Sequence, residues 1–319
     1  MSVPALLKDL RLPLIGAPLF IVSNPLLVIA QCRAGIVGSF PALNARAPGE
    51  LEQWLTQIEA ALRDPANAGS GIKVAPYAVN QIVHASNPRL AEDVELCVKH
   101  KVPIMITSLQ APDPVVKAAH SYGGLVFHDV ISIRHAQKAL EAGVDGLILV
   151  TAGAGGHAGS LNPFAFVEEI RRFYDGPVIL SGAMSRGHHI LAAQAMGADL
   201  AYMGTRFVAS AEARAIDEYK EMLVSSTAED ILGTNVFTGV YGNYLKGSIV
   251  RAGLDPAQLG QSDKSKMDLS AMQSAGSKAW KDIWGAGQSV AGIQSVSSTQ
   301  AIVDQLAIEY ESARQKLAI

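Results

Sequence analysis

Short runs of almost unbroken hydrophobic residues recur along the chain. Each is followed by a stretch whose apolar positions fall at helical spacing. The runs lie at Leu14 to Phe20, Gly35 to Phe40, Ile72 to Asn80, Pro103 to Ser108, Gly124 to Val130, Gly146 to Val150, Pro177 to Gly182 and Asp199 to Gly204. Helices are predicted near Asn24 to Arg33, Pro48 to Arg63, Arg89 to His100, from about Pro112, over IRHAQKALEAG with Gly143 as its stop, and at Pro163 to Tyr174 and Gly187 to Met196. Strands without polar alternation are covered on both faces, as in a parallel sheet flanked by helices. Eight such alternations predict a closed (β/α)8 TIM barrel; an open doubly wound sheet is the alternative that alternation alone leaves standing.

After Gly204 the rhythm changes. Residues 210–288 show helical stretches and turn signals but no clear strand, which predicts a mainly helical cap or substrate domain inserted into a barrel of residues 1–209 and 289–319. The middle of that insertion, GQSDKSKMDLSAMQSAGSKAW, is small and polar, and is expected to be mobile in part. A last helix, Ser298 to Ala318, carries Ile302, Leu306, Ile308 and Leu317 and is expected to complete the outer ring.

Composition narrows the function. Of 319 residues, 49% are hydrophobic, enough for a large core, and the net charge of −3 offers no polyanion-binding surface. There is no Lys/Arg cluster with interleaved aromatics, so nucleic-acid binding is not expected. Cys32 and Cys97 form no metal-spaced pair, and a reduced, cytoplasmic setting is expected. The start of the chain does not read as a signal peptide, and no apolar run approaches the roughly 20 residues of a membrane span. GxxxxGK[ST], HExxH and GxSxG are all absent, and no metal is expected.

In a β/α barrel the chemistry lies at the carboxyl ends of the strands. Those positions are Ala17, Pro18 and Leu19, Asn80, Ser108, His128 and Asp129, Gly153 to His157, Ser181, Gly182 and Ala183, and Gly204 with Thr205. Small residues dominate, so the backbone can approach a flat or phosphorylated ligand. SGAMSRGHH after the seventh run and MGTRF after the eighth predict a phosphate cradle of backbone amides, with Arg186 and Arg206 either nearby or on helix surfaces. In VTAGAGGHAGS, His157 stands alone on a loop with little packing to do; it reads as an acid–base group or as a solvated loop histidine. Asp129 reads as a ligand contact or as a helix cap ahead of Ser132. Tyr241, Tyr244 and Lys246 in VYGNYLKGS either close over a substrate or pack as ordinary surface.

The order of these pieces resembles the nitronate monooxygenase (2-nitropropane dioxygenase-like) family. The resemblance rests on PLIGAPLF, YAVN, VFHDVISIRHAQKALEAGVDGLIL, GAGGHAG, VILSGAMSRG, AAQAMGADLAYMGTRF and WGAGQSVAGI. It covers the chain from about Leu12 to Ile293, and GGHAG with MGTRF is its specific part. The resemblance implies an FMN-dependent barrel enzyme. Ala17, Pro18 and Leu19 match the segment against the flavin, and Gly156 matches a flavin-contacting position. Ser181, Gly182, Ala183, Gly204 and Thr205 match the phosphate loops, and Gln288 with Ser289 matches a late segment returning to the cofactor. His157 matches the family's active-site histidine, proposed to remove the α-proton of a nitroalkane. The chain departs from the family pattern at SGA, where relatives often have SGG. It departs again at Asp129, where some carry lysine near the flavin ring. Ala183 is expected to give an amide contact if its φ is negative.

The reading is thus FMN-dependent oxidation of alkyl nitronates, such as propionate 3-nitronate, by molecular oxygen to a carbonyl compound and nitrite. The alternative on the same scaffold is an NAD(P)H-dependent FMN reductase of quinones or enoyl thioesters. From another class, a non-catalytic FMN or phosphate-ligand binding protein remains. The expected partners are a small-molecule substrate and oxygen, with no nucleic acid and no membrane; a homodimer would be unsurprising.

Overall fold

The computed structural model describes residues 3–260 and 281–317. Eight parallel strands form one sheet: β1 (Leu14–Gly16), β2 (Gly38–Pro41), β3 (Tyr77–Val83), β4 (Ile104–Leu109), β5 (Leu125–Val130), β6 (Gly146–Val150), β8 (Val178–Ser181) and β9 (Leu200–Met203). The short β7 (Gly156–His157) belongs to a second sheet. The order β1-β9-β8-β6-β5-β4-β3-β2 closes on itself through a parallel bridge between Ile15 and Val37, where the Gly16 amide donates to the Val37 carbonyl at 2.8 Å. This is the expected (β/α)8 barrel, and closure excludes the open sheet.

The helices are α1 (Pro25–Arg33), α2 (Glu50–Leu62), α3 (Leu90–Lys99), α4 (Asp113–His120), α5 (Ile133–Glu141), α6 (Pro163–Arg171), α7 (Gly187–Ala195), α8 (Thr205–Val208), α9 (Asp217–Ser225), α10 (Lys246–Arg251) and α11 (Thr299–Lys316). Local chemistry sets their ends. Asn24 caps α1 by accepting from the amides of Leu26 and Leu27, Ser132 caps α5, and Gly143 follows α5 at φ +86°. The capping role lies with Ser132, so the cap reading of Asp129 does not hold.

Two cores separate the layers. Between strands and helices lies a shell that includes Phe40, Met105, Leu147, Leu180 and Phe207. Inside the barrel, Ile15, Val37, Ala78, Ile106, Phe127, Ile148 and Ile179 fill the axis. Side chains alternate faces along each strand. The next inward positions towards the carboxyl ends are therefore Asn80, Ser108, Asp129, Val150, Ser181 and Tyr202. At this layer the barrel interior turns polar.

Beyond β9 the structure departs from the expectation of an insertion without strands. β10 (Ile231–Thr234) and β11 (Gly242–Leu245) pair antiparallel, and β11 also pairs with β7, matching Gly242 to His157 and Asn243 to Gly156. Strands of four residues with interspersed glycines carry too little alternation to be recognised from sequence. The polar stretch at 261–280 lies outside the described residues. Among the described residues, no helix is long and apolar enough to cross a membrane.

Candidate active site

The polar layer opens into a cavity of about 350 Å³, within the size range of small-molecule sites. Its walls are mostly apolar, with Phe20, Ile21, Ile82, Leu109, Ile131 and Val240 among them. The cavity brings together Ala17, Pro18, Leu19, Asn80, Asp129, Gly156, His157, Ser181, Gly182, Ala183, Gly204, Thr205 and Ser289. Gln288 is not on its wall: that side chain is exposed, and the backbone N–H donates to the Gly153 carbonyl at 3.0 Å.

The rim is built from backbone. The loop after β1 is pinned by buried Asn44, whose Oδ1 accepts from the Ile21 amide and whose Nδ2 donates to the carbonyls of Leu19 and Ser23. The loop after β6 meets the late segment directly. A Cβ placed on Gly155 would lie 2.7 Å from the Gly287 nitrogen and 2.8 Å from Thr205 Oγ1. Gly182, at φ +133°, packs so closely on the Thr151 hydroxyl that no side chain fits. These glycines are thus required by loop-to-loop packing before any ligand is considered.

Ala183 differs from the expectation. Its φ is +50°, the left-handed region that L side chains rarely adopt, and its amide donates to the Gly153 carbonyl at 3.2 Å. The strain sits at the loop junction, a place where functional sites hold unusual backbone.

His157 is not on a bare loop. Strand β7 hydrogen-bonds to β11, and the Ala158 amide donates to the Tyr241 carbonyl at 3.1 Å. Asn243 reaches across with Nδ2 donating to the Ala154 carbonyl at 2.7 Å. His157 Nε2 lies 3.0 Å from Thr238 Oγ1, which itself donates to the Val240 carbonyl at 3.1 Å. The Thr238 hydroxyl thus ties the imidazole to the carbonyl of Val240 and fixes the orientation of the ring. Burial pushes the imidazole pKa down to about 4, because a charged ring would lose its hydration.

Asp129 points into the cavity. Its Oδ2 accepts from Ser108 Oγ at 2.6 Å, and Ser108 in turn accepts from Asn80 Nδ2 at 3.0 Å. Desolvation raises its carboxyl pKa to about 7, with the Ser108 hydrogen bond opposing. Sequence reasoning missed Tyr202, Thr238 and His135. Tyr202 and His135 line the cavity, and Tyr202 was legible only as the inward partner of Leu200 at period two.

A family model described as nitronate monooxygenase matches residues 6–309. The chain belongs to the nitronate monooxygenase family. The nitronate monooxygenase of Paraburkholderia phytofirmans is 28% identical over 283 residues, covering 76% of this chain and 76% of that protein. Among solved structures, a point mutant of FabK from Thermotoga maritima has a TM-score of 0.76 at 25% identity, covering 98% of this chain and 96% of its own. The nitroalkane oxidase of Streptomyces ansochromogenes has a TM-score of 0.78 at 22% identity, covering 98% and 99%, which speaks for the shared fold. As a nitronate monooxygenase family member, the chain is a flavin-dependent oxidoreductase for the oxidation of nitro compounds.

Other candidates take structural places in this family member. His128 is 3% exposed and faces the helices, with Nδ1 2.8 Å from Thr107 Oγ1, so it does not line the mouth. Tyr244 is fully buried against Phe237, and Lys246 Nζ donates to the Glu229 carbonyl at 2.6 Å. Neither they nor Tyr241 line the cavity; Tyr219 and Val240 do so from that part of the chain. Arg186 pairs with Glu309 of α11 at 2.7 Å, and Arg206 is buried behind the loop rather than on a helix surface.

Proposed function

We propose that this chain oxidises alkyl nitronates with FMN as its cofactor and molecular oxygen as the acceptor, giving a carbonyl compound and nitrite. The observation that carries this reading is the cavity at the barrel mouth, mostly apolar and rimmed by the backbone of the loops after β8 and β9, with His157 on its wall.

The residues present fit a flat cofactor with a polar edge. Two buried polar atoms of the cavity layer, Asp129 Oδ1 and the Tyr202 hydroxyl, lack hydrogen-bond partners among the described residues. The rim offers backbone at Gly182, Gly204 and Thr205 rather than side chains. Ala17, Pro18 and Leu19 with Gly156 would lie along the ring, and Ser181 and Gly182 with Gly204 and Thr205 would hold the phosphate; the Ala183 amide is committed to the Gly153 carbonyl. When bound, FMN supplies the electron chemistry between substrate and oxygen.

His157 is in the protonation state a base requires at physiological pH. It is unprotonated above about pH 4, so it can accept the α-proton of a neutral nitroalkane; a preformed nitronate has already lost that proton. No lysine or arginine lines the cavity among the described residues. Among the described residues, an apolar alkyl tail therefore finds more partners on this wall than the carboxylate of propionate 3-nitronate.

The first test is the absorption spectrum of the purified protein with an alkyl nitronate and with propionate 3-nitronate, without oxygen. Bleaching of flavin bands supports the reading, most readily with the alkyl nitronate. Bands that respond only to NAD(P)H point to the reductase alternative. His157→Ala is expected to retain flavin, lose neutral-nitroalkane turnover by about 10²–10⁴-fold, and keep most nitronate turnover. Unchanged nitroalkane turnover sinks the assignment of the base.

A further inference from the structure

Asp129 and Tyr202 occupy the same inward-facing layer from β5 and β9, and both line the cavity. Asp129 Oδ1 and the Tyr202 hydroxyl are buried, and each lacks a hydrogen-bond partner among the described residues. A native protein rarely leaves two polar atoms in this condition unless something else satisfies them. The rest of the local network is committed. Asn80 Nδ2 donates to Ser108 Oγ and to the Ile106 carbonyl, and Ser108 Oγ donates to Asp129 Oδ2. Of the Asp129 carboxyl, Oδ1 is the oxygen left to act on a ligand among the described residues.

Among the described residues, the cavity wall offers a carboxylate no cation. The other titratable groups on the cavity wall are His135 from α5, His157 from β7, Tyr202 from β9 and Tyr219 from α9. His128, next to Asp129 on β5, faces the opposite side of the sheet and lines no part of the cavity. No lysine or arginine among the described residues lines the cavity to offset an anion. A carboxyl in such a place is neutral over much of the working range, and a neutral carboxyl donates a hydrogen bond. Tyr202, whose phenol is pushed well above its ordinary range by burial and by Asp129, also remains a donor.

We propose that Asp129, as the neutral acid, and Tyr202 form a pair of hydrogen-bond donors at the cavity floor that holds an anionic acceptor seated above them. The acceptor chemistry is delocalised negative charge on oxygen or ring nitrogen, as in a nitronate or a reduced flavin. The pair donates hydrogen bonds without transferring its protons. Ser108 and Asn80 are positioning residues that keep Oδ1 turned towards the ligand. Ionisation of Asp129 reverses its role, placing an anion against an anion. The identity of the ligand rests on the function proposed above; the acid state of Asp129 does not.

The test has a spectroscopic part and a kinetic part. Infrared difference spectra of the flavin-loaded protein should show a carboxylic-acid C=O band at pH 6 that is lost by pH 8.5 and is missing in Asp129→Asn. In the wild type, kcat/KM for an alkyl nitronate should fall at least tenfold over the same interval. Asp129→Asn, which keeps a donor but cannot ionise, should flatten that profile, while Tyr202→Phe lowers it at every pH without moving its midpoint. The reduction potential of the bound flavin, followed against pH, distinguishes the acceptors. A step near pH 7 that Asp129→Asn removes places the charge on the flavin; a step confined to nitronate KM places it on the substrate. Absence of the acid band at pH 6 overturns the proposal, as does an Asp129→Asn protein with wild-type pH dependence in both kinetics and potential. A protein with the band and the potential step but no nitronate turnover sinks the functional reading and leaves the donor pair standing.

Discussion

Ala183 shows how much one backbone angle can carry. With φ at +50°, its Cβ crowds the backbone, yet the residue holds the junction between the loops after β8 and β6. Glycine accepts this conformation at no steric cost, whereas an L residue there loses about 1 kcal/mol. Ala183→Gly is therefore expected to stabilise the fold by up to about 1 kcal/mol, the relief of strain being partly offset by the freer unfolded chain. A urea midpoint that falls on substitution would show that the alanine methyl is itself needed. At the same scale, burial moves two groups of one cavity in opposite directions, His157 down to about 4 and Asp129 up to about 7, so that each favours its neutral form. Neither value could be assigned from the neighbouring sequence, because both follow from what surrounds the side chain rather than what precedes it.

At the scale of elements, the pairing of β7 with β11 decides how firmly His157 is held. Residues 156 and 157 lie in a glycine-rich segment, and by themselves they would be poorly ordered. They are fixed by a strand more than eighty residues later and by the Asn243 bond to the Ala154 carbonyl at 2.7 Å. Asn243 is 3% exposed. Asn243→Leu keeps the volume but leaves that carbonyl buried without this donor, at a cost of about 1–3 kcal/mol. We expect a lower denaturation midpoint together with reduced kcat on a neutral nitroalkane. Flavin affinity should change less, since the proposed phosphate loops lie after β8 and β9. Equal losses in all three readouts would mean that the strand pair supports the whole mouth rather than the base.

For the whole molecule, these buried groups set opposing responses to pH. His157 and His128 are both pushed down to about 4 by burial. Between their unfolded value near 6.5 and that folded value, the unfolded chain binds protons that the native one refuses, so stability falls as pH drops through this window. Asp129 runs the other way: raised to about 7, it holds a proton that the unfolded chain releases above pH 3.8, and its contribution is lost as pH rises to 7. A tenfold difference in proton affinity is worth about 1.4 kcal/mol. Asp129→Asn should thus gain about 4 kcal/mol at pH 8 relative to its effect at pH 4, read from urea midpoints at the two pH values. A constant difference across that range would mean that Asp129 ionises normally.

The barrel itself was legible in the chain. Runs as short as GLILV and PVILSG, bounded by Gly and Pro, read as strands covered on both faces, and Asn24, Ser132 and Gly143 mark helix ends by chemistry local to each. Strand ends also pointed to most of the cavity wall, because in a parallel barrel one end of every strand reaches the same mouth. The tertiary structure alone decided the rest. It closed the sheet through Ile15 and Val37, turned the phenol of Tyr202 inward, and brought Thr238 to His157. It also placed Asp129 where no lysine or arginine among the described residues lines the wall. Hydrophobic pattern is a property of neighbours along the chain, and it fixes which segments are buried. Hydrogen-bond partners, dielectric surroundings and proton affinity belong to neighbours in space, which exist only once the barrel has closed.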